Sequence, residues 1–323
     1  MKFKYSRALV TGGAGFIGSH IVDRLVENGF EVRVFDDLSS GRLENLREHL
    51  KEKRVVFVKG DVRDCEAVKD AVEDIDVVFH EAALVGVPES VKNPLLANDV
   101  NVNGTLNLLE ASVKYNVRRF ILASSASVYG EQRILPVKEE AVPQPSSPYA
   151  VSKLSAEFYS RVYYGTYGLE TVVLRYFNVY GDRQARGPYA AVITAFLNSL
   201  MGDKHPVIHG DGEQTRDFIS VRDVVDVNIL AMEKRCAGKI LNVATGSPIT
   251  INRVFKILQD ATGKCHVRPV YSNPRKFDIR DSYGDTSKAR RIFGFESKVS
   301  LEQGLGNLAK SWKRSYLRSA RAS

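Results

Sequence analysis

The stretch SRALVTGGAGFIGSH, residues 6 to 20, joins an apolar strand pattern to a helical pattern through a glycine-rich turn. Three of its four glycines recur every three residues, at Gly12, Gly15 and Gly18. At such positions glycine permits a tight turn, lets a pyrophosphate approach the backbone, and allows the helix to pack closely on the strand. The helix N-terminus then favours an anion. The stretch therefore predicts a strand, turn and helix that bind a dinucleotide.

An acidic residue is the second part of such a site, because the ribose hydroxyls of the adenosine need an acceptor at the end of the second strand. Asp36 stands there, with Asp37 beside it. A carboxylate at this position disfavours the extra phosphate of NADP, so the expected cofactor is NAD. The simpler alternative is a glycine turn and a helix-capping aspartate that bind no nucleotide.

Beyond this stretch, short β-rich segments alternate with helical patterns, as in EVRVFDD, RVVFVKGD, DVVFHEAA and RRFILASS. Such alternation indicates βαβ units, and strands that are apolar on consecutive residues are typical of a parallel sheet covered on both faces. We predict an α/β fold with a doubly wound parallel (Rossmann) sheet in residues 1–176. Residues 177–323 should form mainly a smaller mixed α/β substrate domain, while the segment near 238–246 returns to the first domain.

The composition indicates a globular cytoplasmic protein, because 323 residues with 44% hydrophobic content can bury a full core. The N-terminus lacks the apolar stretch and cleavage site of a secretory signal. The longest uncharged run, residues 187 to 202, falls short of a membrane span and reads as an amphipathic helix. The three cysteines are far apart and predict neither a metal site nor a redox motif.

The net charge of +8 raises the question of an anionic partner. The last fourteen residues, KSWKRSYLRSARAS, carry five basic residues and no acidic one, so most of the excess is a basic tail. No nucleic-acid motif accompanies it, and we expect no nucleic-acid partner. The remaining basic excess suits a phosphorylated small substrate.

The segment SPYAVSK, residues 147 to 153, predicts a helix start, with Ser147 as the cap and Pro148 as the first residue. Tyr149 and Lys153 would share one helix face. Tyrosine, with a pKa near 10, becomes a useful base only where a positive charge favours the phenolate, and Lys153 supplies one. Ser125 ends the fifth strand, where its hydroxyl would reach a substrate oxygen; alternatively, it only terminates that strand.

Over almost its whole length the chain resembles the extended short-chain dehydrogenase/reductase family, most closely its nucleotide-sugar 4-epimerases. The motifs that carry the resemblance are TGGAGFIG, GDVRD, HEAA, NVNGT, SSASVYG, SPYAVSK, LRYFNVYG and GDGEQTRDFISVRD. The resemblance implies that Ser125, Tyr149 and Lys153 form the catalytic group. Tyr149 would remove the proton of the sugar 4-hydroxyl, tightly bound NAD would take and return the hydride through a transient 4-keto sugar, and Lys153 would also reach the nicotinamide ribose.

The resemblance also implies binding residues. Those for NAD are Gly12, Gly15, Phe16, Ile17, Gly18, Asp36, Asp37, Ser40, Gly41, Asp61, Val62, Ala82, Ala83, Asn101, Tyr149, Lys153 and Phe177. Those for a UDP-sugar are Ser125, Asn178, Ala191, Val192, Arg216, Arg275, Asp278 and Ser282. Asn101 has an alternative role in helix capping or packing, and Arg216 in a surface salt bridge with Asp217 or Asp223. Glu81 receives no role.

The residues after Ser125 narrow the reaction. Related sugar dehydratases carry an acidic pair there, whereas this chain has Ala126 and Ser127, so elimination of water lacks its acid and base. The expected reaction is interconversion of UDP-glucose and UDP-galactose. A UDP-uronate 4-epimerase and a one-way nucleotide-sugar reductase remain alternatives, as does a non-catalytic dinucleotide-binding sensor. The presence of both Tyr149 and Lys153 argues against the sensor.

Two further positions concern the substrate and one feature the assembly. Ser282 stands where some family members have a bulky tyrosine, so the pocket has room for a 2-acetamido group and UDP-GlcNAc and UDP-GalNAc are expected substrates. Phe277 replaces the glycine of the family's Arg-x-Gly-Asp loop, which puts the contacts of that loop in doubt. The family commonly forms dimers through helices near residues 98–115 and 149–166, so a homodimer is expected.

Overall fold

The computed structural model describes residues 4–184, 191–274 and 279–322. Its strands are β1 Arg7–Thr11, β2 Glu31–Asp36, β3 Val55–Lys59, β4 Val77–His80, β5 Arg119–Ser125, β6 Glu170–Tyr176, β7 Asn178–Tyr180, β8 Val207–His209, β9 Thr215–Ser220, β10 Lys239–Val243, β11 Pro248–Thr250, β12 Val270–Ser272 and β13 Asp281–Ser282. Its α-helices are α1 Phe16–Glu27, α2 Arg47–Lys51, α3 Cys65–Val72, α4 Val87–Lys92, α5 Pro94–Asn98, α6 Gly104–Lys114, α7 Pro148–Tyr167, α8 Val192–Met201, α9 Val221–Glu233, α10 Ile251–Thr262, α11 Ser287–Phe293 and α12 Leu301–Ala322. Short 3-10 turns at Leu43–Leu46 and Ala126–Tyr129 and a π-helical turn at Asp99–Asn103 complete the set.

The main sheet has seven parallel strands in the order β10-β6-β5-β4-β1-β2-β3. The chain runs outward from β1 to β3 and then crosses back to β4 on the other side of β1. This reversal between β1 and β4 opens a crevice at the carboxyl ends of the strands, where an open α/β sheet binds its ligand. The predicted doubly wound fold is confirmed.

Helices cover both faces of this sheet, which explains why its strands are apolar on consecutive residues. One core contains Ile21 and Leu25 of α1 together with Val224 of α9. The core on the opposite face contains Val68 of α3, Leu108 of α6 and Ala156 of α7. All four residues of β4 are buried as a result.

A smaller mixed region follows β6. Strands β11, β9 and β13 form a sheet to which β7 adds through β9, and β12 pairs with β8. Helices α8, α10 and α12 pack around Phe196, Phe255 and Trp312. Strand β10 does not belong to this region, because it lies beside β6 in the main sheet.

Within the described ranges, no helix combines the length and the apolar character required to cross a bilayer. The same ranges contain no cluster of three or more metal-binding side chains. The three cysteines are free thiols, Cys65 and Cys265 at the surface and Cys236 in the core.

Candidate active site

The glycine turn between β1 and α1 is packed too closely for any larger residue. Gly12 has φ +65°, and a β-carbon there would lie 2.7 Å from the backbone nitrogen of Ala82. A β-carbon on Gly18 would lie 2.3 Å from the carbonyl oxygen of Gly12. Helix α1 begins at Phe16, followed by Ile17, and Gly15 is its N-cap residue. No side chain caps this end, so the N–H groups of the first turn can receive a phosphate.

Asp36 ends β2 and is oriented toward this turn. Its carboxylate accepts hydrogen bonds from the backbone N–H groups of Ala14 at 3.0 Å and Leu38 at 2.8 Å. Burial raises the pKa of Asp36 above the ordinary aspartate value. A β-carbon on Gly41 would lie 2.7 Å from the same carboxylate, so the loop of Ser40 and Gly41 passes directly over it.

Asp37 and Asp61 hold local turns at the rim of the crevice. Asp37 accepts from the backbone N–H and hydroxyl of Ser39, both with one carboxylate oxygen. Asp61 pairs with Arg63, and this hydrogen bond lowers the pKa of Asp61. Val62 is buried beside it, and its carbonyl accepts from Asn107 on α6.

Asn101 fixes the loop after β4, which contains Ala82 and Ala83. Its amide oxygen accepts from Leu84 N at 2.8 Å, and its amide nitrogen donates to Ser152 Oγ of α7 at 2.9 Å. Ala82 N donates to the hydroxyl of Thr11 at 3.3 Å. Asn101 therefore ties the loop after β4 to helix α7.

Helix α7 begins as the sequence predicts. Ser147 caps it by accepting from Ala150 N at 3.2 Å, and Pro148 is its first residue. Lys153 is buried and donates from Nζ to the carbonyl of Ala123 on β5 at 2.9 Å. This bond sets the lysine, and with it Tyr149 one turn earlier, against the carboxyl end of β5.

Ser125, Tyr149 and Lys153 are brought together at that strand end. Desolvation raises the pKa of Tyr149 to about 12, although a hydrogen bond with the Ser125 side chain lowers it. Burial lowers the pKa of Lys153 to about 8, against the opposing effect of nearby carboxylates. A buried phenol with one hydroxyl partner and a neighbouring lysine can exchange a proton with a substrate hydroxyl.

The crevice fits a dinucleotide on these observations. The glycine turn leaves space where β-carbons would stand, the first turn of α1 offers free N–H groups, and Asp36 presents a buried acceptor at the adenosine end. At the other end, Lys153 uses one of its three donors on Ala123, which leaves donors for a ribose. These residues would hold NAD, which would supply reversible hydride chemistry when bound.

Three residues predicted to bind the sugar nucleotide lie on neighbouring strands of the smaller sheet. Asn178 on β7 stands opposite Phe218 of β9, and Arg216 of β9 stands opposite Ser282 of β13. Arg216 donates to the carbonyl of Thr215 at 2.7 Å. Only Phe177 separates β7 from β6, so this smaller sheet begins beside the carboxyl end of β6.

The other predicted substrate residues are less informative. Ala191 caps α8 and Val192 begins it. Phe177, which was predicted to bind NAD rather than the substrate, is buried with Val128 and Tyr129, beside the end of β6. Arg275 and Asp278, with Phe277, lie outside the described residues.

A buried ion pair behind the catalytic helix was not predicted. Glu157 of α7 pairs with Arg175 of β6 at 2.6 Å, with side-chain exposures of 1% and 3%. Glu157 also accepts from the hydroxyl of Ser124 on β5. Because Lys153 and Glu157 are one helical turn apart, the sequence predicts that they share a helix face. It does not indicate that Arg175 on β6 would be the partner of Glu157.

Glu81, which received no role, occupies the floor of the crevice between β4 and β1. Its carboxyl accepts from the hydroxyl of Tyr176 at 2.8 Å. Desolvation raises the pKa of Glu81 to about 7, while Tyr176 and Lys153 lower it. A carboxyl with such a pKa is a mark of functional sites.

Comparison with known proteins identifies the family to which this chain is related. The family model described as GDP-mannose 4,6 dehydratase matches residues 9–308. The crystal structure of a UDP-glucose 4-epimerase from Thermotoga maritima with UDP-glucose is 42% identical, with a TM-score of 0.91, and the match covers 96% of this chain and 99% of that one.

Two other solved structures are similar over nearly their whole length. A UDP-N-acetylglucosamine 4-epimerase from Methanobrevibacter ruminantium in complex with UDP-N-acetylmuramic acid is 40% identical, with a TM-score of 0.91 and coverage of 98% and 99%. A UDP-glucose 4-epimerase from Thermus thermophilus in complex with NAD is 36% identical, with a TM-score of 0.86 and coverage of 95% and 99%.

Proposed function

Because this chain belongs to the GDP-mannose 4,6 dehydratase family, we propose that it acts within that family as a UDP-hexose 4-epimerase. It is an NAD-dependent nucleotide-sugar epimerase. The proposed substrates are UDP-glucose and UDP-galactose, together with UDP-GlcNAc and UDP-GalNAc. The observation that carries the proposal is the meeting of Ser125, Tyr149 and Lys153 at the carboxyl end of β5, with no acidic residue directly after Ser125.

Each of these residues has a distinct task. Bound NAD supplies reversible hydride chemistry at C4 of the sugar. Tyr149 takes the proton of the C4 hydroxyl and later returns it to the C4 oxygen of either epimer. Ser125 hydrogen-bonds the same oxygen, and the charge on Lys153 favours the phenolate of Tyr149.

The family name includes dehydration, but the turn after Ser125 does not support it. Elimination of water needs an acid and a base beside the sugar, and that turn offers Ala126 and Ser127. Ala126 packs against the apolar cluster around Tyr129, and the hydroxyl of Ser127 is buried without a hydrogen-bond partner among the described residues. Proton abstraction at one oxygen is the chemistry that these residues support.

The substrate side supports a sugar nucleotide. Arg216 is the charged donor suited to a diphosphate, and the register of β9 with β13 places it opposite the small Ser282. Asn178 lies on the adjoining strand β7 and offers an amide to the sugar or phosphate. A serine at position 282 leaves the space that a 2-acetamido group requires.

We also propose a homodimer. The outer face of α7 exposes Val151, Phe158, Val162 and Tyr167, each by half or more. On the neighbouring helices α4 and α5, Val91 and Leu95 are exposed by 61% and 81%. This apolar surface supports an interface with a second copy through α7, one of the two helices expected from the resemblance, and through α4 and α5 in place of residues 98–115.

The test is proton NMR of the purified protein with UDP-glucose and, separately, with UDP-GlcNAc. We expect the 4-epimer of each sugar to form without added NADH, and the Tyr149→Phe variant to lose at least about a hundredfold in rate because the base is absent. Conversion of UDP-glucuronate alone would assign the uronate alternative. Undiminished activity of Tyr149→Phe would remove Tyr149 from its proposed role.

A further inference from the structure

Glu81 lies where the cofactor crevice meets the catalytic helix. It follows β4 directly, and its backbone N–H donates to the carbonyl of Thr11 at the end of β1 at 3.2 Å. A β-carbon on Gly12 would lie 2.9 Å from the carbonyl carbon of Glu81, so the glycine turn rests on this residue. The residue keeps some exposed surface, although protein surrounds most of its carboxyl.

The carboxyl is held from one side by a chain of hydrogen bonds across the sheet. Tyr176, the last residue of β6, donates its hydroxyl to Glu81 at 2.8 Å and accepts from Asn228 of α9 at 2.8 Å. Asn228 is fully buried, and its amide also donates to the carbonyl of Val224. The position of Glu81 is therefore fixed by three elements, β4, β6 and α9.

This support is sparse for a carboxylate that protein largely surrounds. A carboxylate offers about four acceptor sites, and a buried one is stabilised by paired charges or several donors. Within the described residues, no arginine or lysine lies within ion-pair distance of Glu81, and Tyr176 is the donor that the structure gives it. The hydroxyl of Tyr176 can serve either the ionised or the protonated carboxyl.

The charged and titratable groups around Glu81 can be named for each neighbouring element. Tyr176 faces it from β6, Lys153 of α7 lowers its pKa, and the charge of Glu81 in turn raises the pKa of Tyr149 on the same helix. The adjacent His80 on β4 turns away to the hydroxyls of Thr11 and Thr105, and burial lowers its pKa to about 3, so it stays neutral. From α9, the group nearest to this hydrogen-bond chain is the amide of Asn228, which carries no charge.

The ionised carboxyl acts on both catalytic groups. A negative charge at Glu81 raises the pKa of Lys153 and keeps it an ammonium. The same charge raises the pKa of Tyr149 and disfavours the phenolate. Protonation of Glu81 reverses both effects, so one carboxyl shifts the ionisation of both groups in the same direction.

From this arrangement we propose that Glu81 is a positioning residue of the active site, whose carboxyl, held by Tyr176, sets the pH range in which Tyr149 and Lys153 work. Glu81 touches neither the sugar nor its C4 oxygen in this role. The inference rests on the proposed epimerase function for its kinetic consequence, but its electrostatic consequence holds whatever sugar is bound.

The test compares Glu81→Gln, Tyr176→Phe and the wild-type holoenzyme. In Glu81→Gln the negative charge is gone, so both limbs of the pH profile of kcat/KM should move to lower pH, by about one unit. Tyr176→Phe keeps the carboxyl but removes the donor that favours its ionised form, so the shift should have the same direction and be smaller. Glu139→Gln is the matched control, since Glu139 is a partly buried carboxyl that accepts from Asn242 N at 2.8 Å and is not among the groups acting on Lys153.

A second readout does not depend on turnover. Ultraviolet difference titration, with Tyr149→Phe as the blank, follows ionisation of Tyr149, which should occur at lower pH in Glu81→Gln. If both variants lose activity or thermal stability while profile and titration stay at the wild-type pH, Glu81 is only structural and the proposal is overturned. If Glu81→Gln does not fold, Tyr176→Phe decides. A wild-type protein that epimerises no sugar would overturn the proposed function alone, and the titration would still decide the role of Glu81.

Discussion

Lys153 shows at the scale of one residue how burial has opposite consequences for stability and for catalysis. Burial lowers its pKa to about 8 from the ordinary 10.5, because the charged form loses hydration. The ammonium form of Lys153 is therefore less stable in the folded protein than in the unfolded chain. The same burial places the charge one helical turn from Tyr149, where it favours the phenolate form of that tyrosine.

We expect Lys153→Met to lose activity and gain stability. A pKa of about 8 against 10.5 corresponds to a cost of about 3 kcal/mol, which is fully present below pH 8 and disappears by pH 10.5. The gain in unfolding free energy should therefore be largest near pH 7, reduced by the lost bond to Ala123, and should shrink as the pH rises.

Urea denaturation from pH 7 to 10.5 without added cofactor measures this difference. Lys69→Met on α3 is the control, since that lysine is exposed and its replacement should give no such trend. Equal stability of Lys153→Met and wild type at pH 7 would show that burial of the charge carries no cost.

Ser282 is the residue on which the proposed breadth of substrates depends. Ser282→Tyr should retain activity on UDP-glucose but lose at least about tenfold on UDP-GlcNAc, because the ring would occupy the space of the acetamido group. Ser282→Ala should keep both activities. The ratio of kcat/KM for the two sugars is the measurement, and an unchanged ratio in Ser282→Tyr would contradict the pocket argument.

At the scale of elements, helix α7 is attached to β5 through consecutive strand residues. Lys153 donates to the carbonyl of Ala123, Glu157 accepts from Ser124, and Tyr149 hydrogen-bonds Ser125. The buried pair of Glu157 with Arg175 extends this attachment to β6. The helix is therefore held in one register against two strands, and that register determines where the base stands.

We expect Glu157→Gln to lower the free energy of unfolding by about 3 kcal/mol or more, because it leaves Arg175 as an unpaired buried charge. The folded fraction should also lose activity, since the position of α7 is no longer fixed. Chemical denaturation and kcat give the two values.

The control for Glu157→Gln lies on the same strands at their opposite end. Glu170 of β6 pairs with Arg119 of β5 at 2.5 Å and is more exposed. Glu170→Gln should lose less stability and keep its activity per folded molecule. Equal loss of kcat in both variants would show that the Glu157 pair has no particular effect on the site.

The elements of the main sheet and the glycine turn could be predicted from sequence, because their signals are local. The spacing of Gly12, Gly15 and Gly18 and the alternation of strands and helices lie within short windows. Asp217 shows what such windows miss. Beside Arg216 it resembles a surface acid, but it is buried and accepts from Thr245, Gly246 and Gly284, which only the folded chain brings near.

At the scale of the whole molecule, the exposed apolar face of α7 should be covered by a second copy. Phe158→Glu combined with Val162→Glu would place two charges in that interface and should halve the mass measured by size-exclusion chromatography with light scattering. Tyr271→Glu, at an exposed aromatic residue on β12, should leave the mass unchanged. A wild-type monomer at micromolar concentration would contradict the proposed homodimer.

Strand β10 gives the whole molecule an order of assembly. The main sheet acquires this edge strand only after the chain has passed through β7, β8, β9 and α9. During synthesis the first six strands therefore leave the ribosome with β6 as an open edge, and an open edge can pair with a strand of another chain. Because β6 is buried over nearly its whole length once β10 has paired with it, nascent chains that stop before Lys239 should be prone to aggregate, and the protein depends on translation continuing through the smaller region until β6 is covered.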